Sequence, residues 1–203
     1  MNNKDKIAEA TFSLALKYGF DNVSLKQIQD TANVTTGAVY YHFKDKNDIL
    51  KHMVEMYLLN EVKNFKKILK NHEGTPIEKL RFTFYYHTGL NIGDYSNILE
   101  LSDKSHVDYK EYYLLLMGVY HQHPELRDVF HDMNLEIFNF YKELIEESIE
   151  KKEIKEDIDS EELAIYIFTI FMGFLELSTV FPKFSLEKII ETNLKMIWEN
   201  IKK

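Results

Sequence analysis

Nine consecutive residues, Thr35 to Phe43, hold this chain's densest set of side chains suited to reading a nucleic acid. Thr35, Thr36, Tyr40 and Tyr41 supply hydroxyls, His42 an imidazole, and Gly37 and Ala38 small apolar faces. Hydroxyls reach phosphate oxygens and base edges, and small apolar faces suit the thymine methyl group. Lys26, Lys44 and Lys46 flank the run as candidates for phosphate contact. The run contains no Arg, Lys, Asn or Gln, and residues 1–50 contain no arginine. The bidentate Arg–guanine pairing is therefore unavailable there. The expected target is an A·T-rich palindromic duplex read partly through its shape.

Such a surface needs rigid elements behind it, and the flanking residues supply them. Ser24 and Gln27 have the spacing of a capping box that opens a short helix. Leu25 and Ile28 give that helix an inward apolar face. Asn33 stands where the chain must turn, and Asn tolerates left-handed backbone better than most residues with a side chain. Val34 can plug the corner. Thr35 or Thr36 can cap the next helix, whose first N–H groups would face a phosphate. Two short helices joined by a tight turn make a helix-turn-helix.

On these residues the chain resembles the TetR/AcrR family of prokaryotic transcriptional regulators. The resemblance runs from Ile7 and Ala10 through Gly19-Phe20, Ser24 and Ile28. It peaks at Thr36-Gly37-Ala38-Val39-Tyr40-Tyr41-His42-Phe43 and closes with Lys44-Asp45-Lys46-Asn47-Asp48-Ile49-Leu50. Ala15, Gln29 and Asn33 depart from the usual pattern, in which a larger apolar residue, Ala and Gly are common. The resemblance implies that Thr36, Gly37, Tyr40 and Tyr41 front the reading surface. It also implies phosphate contacts for His42 and Lys46, and core positions for Val39 and Phe43.

Charge at first argues against DNA, since the formal net charge is −8. Residues 1–50, however, hold six lysines against six acidic side chains, so the deficit lies wholly in residues 51–203. A neutral head on an acidic body can bind DNA if its lysines face the duplex. So few cations per subunit predict salt-sensitive binding that needs two subunits. Cysteine is absent, which excludes disulfides, thiol catalysis and Cys-ligated zinc. The start leads into an amphipathic helix rather than a secretion signal. Leu163 to Leu175, the most apolar stretch, is shorter than the roughly 20 residues of a bilayer span. A soluble cytoplasmic protein without membrane contact is expected.

Three prolines, seven glycines and no sustained alternation predict an all-α chain of about nine helices. The expected organisation is an N-terminal three-helix helix-turn-helix DNA-binding domain, residues 1–46. A larger helical ligand-binding and dimerisation domain, residues 47–203, would follow. Helices are expected at about 4–18, over the two short elements, and at 45–70. A helix from Pro76, one at about 104–120, one from Pro124 to about Lys152, 160–181 and 185–202 complete the set. Gly89 to Ser96 reads as a loop.

Helix 160–181 is apolar nearly all round, so something outside one subunit should cover part of it. Gly173 would let another helix approach closely. Helix 185–202 adds Leu186, Ile189, Ile190, Leu194, Ile197, Trp198 and Ile201. The family resemblance implies a homodimer through these two helices, with two reading heads set a helical turn or a multiple apart.

The resemblance also implies an effector pocket in the body. Phe82, Tyr85, Tyr86, Tyr113, Met117, Tyr120, Phe138, Tyr141, Phe168 and Met172 are the lining candidates for an apolar or aromatic, even cationic, small molecule. An aromatic stripe at helical spacing also serves as ordinary core. Effector binding would shift the body between two packings, with helix 45–70 carrying the motion to the head. Repression by promoter occlusion is implied by the resemblance alone. His121, His123 and His131, with His87 and His106, raise a His-dependent metal or hydrolase alternative, although no H-E-x-x-H spacing is present. The break at Pro124 favours exposed loop positions for His121 and His123. No Ser–His–Asp pattern or phosphate-cradling glycine loop occurs, so no enzyme and no cofactor are expected. A helical dimeric interaction module without DNA function is the remaining alternative.

Overall fold

The computed structural model describes residues 2–70, 73–88, 109–181, 183 and 185–203. Among them the chain is helical throughout, with one isolated antiparallel bridge pairing Ile154 with Lys202. The described residues pack as two compact units, residues 1–63 with 111–133 and residues 64–110 with 134–203. The expected boundary at 46/47 falls inside the first unit.

The first unit opens with α1 (Asn3–Tyr18), whose N-terminus is capped by the Asn2 side chain. Gly19 ends it at φ 75°, a backbone region open to glycine at no steric cost. A 3₁₀ turn, Phe20–Asn22, leads to α2 (Leu25–Ala32). Both halves of the Ser24/Gln27 capping box form. Asn33 adopts the left-handed conformation, φ 52° and ψ 51°, and so lets α3 (Thr36–His42) leave at an angle to α2. Ile7, Ala10, Val23, Ile28, Ala32, Val39, Phe43 and Ile49 close over one apolar core. That core fixes α3 from behind.

Asp45 caps α4 (Lys46–Val54) by accepting the Asp48 N–H. The expected single helix 45–70 is instead broken by a π-helical turn, Glu55–Leu59, before α5 (Asn60–Lys70). The described helices thus number ten. A π turn accommodates one extra residue, which periodicity alone does not reveal. The same unit contains α7 (Tyr109–Gln122) from Glu111 onward, the 3₁₀ turn Pro124–Leu126 and the start of α8 (Arg127–Glu150). Pro124 therefore opens a 3₁₀ turn rather than the long helix itself.

The second unit is built on α6 (Pro76–Thr88), the end of α8, α9 (Ser160–Val180) and α10 (Leu186–Ile201). Helix α9 opens at Ser160 as expected, with Asp159 capping it by accepting the Glu161 and Glu162 N–H groups. Ser185 caps α10 as its position suggests. Phe65, Leu69, Phe82 and Tyr86 form one buried cluster, and Phe84, Phe171 and Phe174 pack ring on ring nearby in the same unit. Arg81 on α6 grips Glu191 on α10 with two bonds of 2.9 and 3.0 Å. The expected helix start at Lys104 and the loop Gly89 to Ser96 lie outside the described residues.

The α9 helix corrects one expectation. At 21 residues it is long and apolar enough to cross a bilayer by length and composition. The shorter run Leu163–Leu175 understated it, because the helix starts at Ser160 and continues past Glu176 and Ser178 to Val180. Ala164, Ile167, Phe171 and Phe174 are nonetheless buried within the second unit.

Candidate nucleic-acid interface

The α3 helix has two contrasting sides. Val39 and Phe43 are 1% and 2% exposed, whereas Tyr40 and Tyr41 are 57% and 83% exposed. Thr35, Thr36 and Gly37 are exposed at its start, with Ala38 and His42 half-buried. The division follows from helical spacing: Val39 and Phe43 are four apart and share the inward face.

The hydroxyls at the tip of the helix are already partly engaged. Thr35 Oγ accepts the Ala38 N–H at 3.2 Å, which makes Thr35 the N-cap. Thr36 Oγ donates to Gln29 Oε1 at 3.2 Å. The His42 ring packs edge-on to Tyr41, with centroids 4.9 Å apart.

The three lysines differ in freedom. Lys26 pairs with Asp30 at 2.7 Å, both side chains exposed. An exposed i,i+4 pair contributes only about 0.3–0.5 kcal/mol, so a phosphate can replace the carboxylate. Lys44 is exposed, and its backbone N–H is held by Asp48. Lys46 is anchored more firmly: its ammonium donates to the Asp21 carbonyl at 3.2 Å and lies 4.5 Å over the Phe20 ring. Partial burial there lowers its pKa, with the Asp21 charge opposing the shift.

Two contacts of this helix, those of Lys4 with Phe43 and Gln29 with Thr36, escaped the sequence reading. Lys4 places its ammonium 5.7 Å over the Phe43 ring, a cation–π contact behind the reading helix. Gln29 is the other. A polar residue on the inward side of a short amphipathic helix was the available signal for it.

The ten aromatic and methionine candidates of the body do not form one group. Phe82, Tyr85, Tyr86, Phe138, Tyr141, Phe168 and Met172 belong to the second unit, and Tyr113, Met117 and Tyr120 to the first. Phe82 and Tyr86 pack together on Phe65. Phe138 meets Phe168 edge-on at 6.4 Å. Tyr85 donates to Glu191 at 3.1 Å, and burial followed by the Glu191 charge pushes its phenol pKa upward. Tyr141 is fully buried, its hydroxyl has no hydrogen-bond partner among the described residues, and burial likewise raises its pKa. Met117 is surface-exposed, and Tyr120 carries Arg127 on its ring and bonds to His131.

His121 is exposed as expected, but His123 is not. Its ring is 7% exposed, because the 3₁₀ turn folds it onto Phe20. No group of three potential metal ligands occurs among the described residues. The His87 side chain and His106 lie outside them.

Residues 7–53 match the model of the bacterial regulatory proteins of the tetR family. Over 141 residues the chain is 22% identical to an uncharacterized HTH-type transcriptional regulator, YerO, of Bacillus subtilis, covering 68% of this chain and 44% of that protein. It is 27% identical over 86 residues to a probable acrEF/envCD operon repressor of Escherichia coli, covering 40% of this chain and 37% of the relative. The chain thus spans less than half the length of these curated relatives. Among solved structures it is similar to reduced NemR of E. coli, with a TM-score of 0.75 at 16% identity, covering 100% of this chain and 98% of the other. FadR of B. subtilis in complex with stearoyl-CoA gives a TM-score of 0.69 at 19% identity, over 95% and 96% of the two chains. At these identities the structural likeness establishes the fold.

Proposed function

We propose, for a chain whose residues 7–53 match the model of the bacterial regulatory proteins of the tetR family, a role as a ligand-responsive DNA-binding transcriptional regulator. The observation that carries this reading is α3, buried through Val39 and Phe43 while Tyr40 and Tyr41 stand open. Thr35, Thr36, Gly37, Tyr40 and Tyr41 would front the major groove, and Lys26, His42, Lys44 and Lys46 would meet phosphate. The regulator acts as a repressor on a palindromic, A·T-rich operator. Residues 1–46 serve as the DNA-binding domain and residues 47–203 as the effector and dimerisation domain.

The dimer forms through α9 and α10. Ile165, Tyr166, Leu177 and Val180 of α9 and Met196 of α10 are exposed apolar residues. Beside them a Cβ on Gly173 would meet nothing within 4 Å in its own chain, so another helix could approach there. The effector is an apolar or aromatic small molecule taken up among the body's aromatic side chains. One structure of the same fold holds stearoyl-CoA, which supports an apolar ligand.

Selection of bound duplexes from a random pool at moderate salt tests the reading, with wild type and Tyr40→Ala/Tyr41→Ala in parallel. Wild type should enrich a palindrome, and Tyr40→Ala should cost about 1–3 kcal/mol of operator affinity. Because both tyrosines are exposed, thermal stability should not change. Invariant G·C pairs opposite α3 would sink the A·T-rich reading, and no enrichment at any salt would sink the DNA-binding role.

A further inference from the structure

Gln29 holds the reading helix in two ways. Its backbone carbonyl accepts the Val34 N–H at 3.1 Å and so closes the turn. Its buried side chain accepts the Thr36 hydroxyl proton at 3.2 Å. A hydroxyl has a single proton. With that proton committed to Gln29, the exposed side of Thr36 Oγ offers only lone pairs. Thr35 is engaged in the opposite sense, since its oxygen accepts the Ala38 N–H and its proton remains available. Two adjacent threonines therefore present opposite polarity at the tip of α3.

The major groove distinguishes these polarities. Adenine N6 and cytosine N4 donate there, whereas guanine O6 and N7 and thymine O4 accept. We propose that Gln29 is a positioning residue that fixes Thr36 as an acceptor. The operator position facing Thr36 must then present an exocyclic amine. Thr35 donates instead, to a phosphate or to a base acceptor. This inference rests on the DNA-binding reading above and adds a base-selecting polarity to it.

The test is selection of bound duplexes with four proteins: wild type, Thr36→Val, Gln29→Met and Gln29→Glu. Thr36→Val identifies the base-pair position that Thr36 reads, as the one whose preference it abolishes. Wild type should enrich adenine or cytosine at that position on the contacted strand. Gln29→Met removes the acceptor at similar length and frees the Thr36 proton, so guanine and thymine should enter with a roughly fivefold loss of preference, the worth of one neutral hydrogen bond. Gln29→Glu keeps an acceptor and should keep the amine preference, with weaker binding overall from its charge. A second measurement needs no variant of Gln29: wild type should bind about fivefold more weakly when the selected base lacks its exocyclic amine, as purine for adenine or pyrimidinone for cytosine. That arm stands even if Gln29→Met does not fold.

Wild type that selects a site but is indifferent to the missing amine, or that enriches guanine or thymine there, overturns the assignment alone. An unchanged preference in folded Gln29→Met does the same. Wild type that enriches no sequence overturns the DNA-binding premise and the assignment with it.

Discussion

His123 Nε2 lies 3.4 Å from Asp21 Oδ1, at ion-pair distance but without hydrogen-bond alignment. The contact joins the turn before α8 to the turn between α1 and α2. The ring also packs edge-on to Phe20 at 5.5 Å, and its Nδ1 stands 3.3 Å from Glu125. His123→Ala should therefore destabilise the fold by about 1–3 kcal/mol, the usual range for loss of a buried, partnered side chain. A denaturant titration measures it, and an unchanged midpoint would remove His123 from the packing of this unit.

His52 sets a dependence on pH. Its Nε2 is buried without a partner among the described residues, and its ring packs against Phe43. Burial lowers its pKa below the ordinary 6.5, the Lys4 charge adds to that, and Glu55, Asp5 and Asp48 oppose it. With the folded pKa depressed, the unfolded chain takes up the proton first as pH falls. Stability from neutral His52 is complete above about 6.5 and declines as pH drops through the folded pKa. Thermal melts of wild type and His52→Gln from pH 7.5 to 5 should show a shallower decline in the variant. Parallel curves would rule out this contribution.

Tyr141 carries a buried hydroxyl that is unpaired among the described residues. Leaving such a group unmatched costs about 1–3 kcal/mol, so Tyr141→Phe should be neutral or stabilising by about 1 kcal/mol. If the effector accepts a bond from this hydroxyl, the same variant should also lose effector response. Chemical denaturation reads the first effect and ligand-induced operator release the second. A loss of stability above 1 kcal/mol would mean that the hydroxyl has a partner in solution.

Ile165 and Met196 are 52% and 54% exposed on α9 and α10. If a second copy covers them, Ile165→Glu with Met196→Glu should convert a dimer to a monomer, as read by sedimentation. Operator affinity should fall with it, because two half-sites would no longer be bound together. A variant that still sediments as a dimer would place the interface elsewhere.

The head was largely legible before any coordinates, because its determinants are local. Ser24 and Gln27 lie three residues apart, Asn33 turns the chain by its own backbone preference, and Thr35 caps within one turn. Periodicity of 3.6 also separated Val39 and Phe43 from Tyr40 and Tyr41. The aromatic candidates were harder, since helical spacing says which residues share a face and not which faces meet. Phe82 and Tyr86 proved close neighbours, whereas Met117 stands on the surface of the other unit.

By itself the sequence determined an all-α chain with a capped helix-turn-helix and a highly apolar penultimate helix, since capping, turning and hydrophobic periodicity act over a few residues. Tertiary structure alone decided that His123 is buried against Phe20, that Lys46 is tied to Asp21, and that Gln29 holds the Thr36 proton. Those outcomes depend on how one helix or turn packs on another. Packing of that kind brings together groups distant in the chain and sets which of their polar atoms remain free, and local spacing does not encode it.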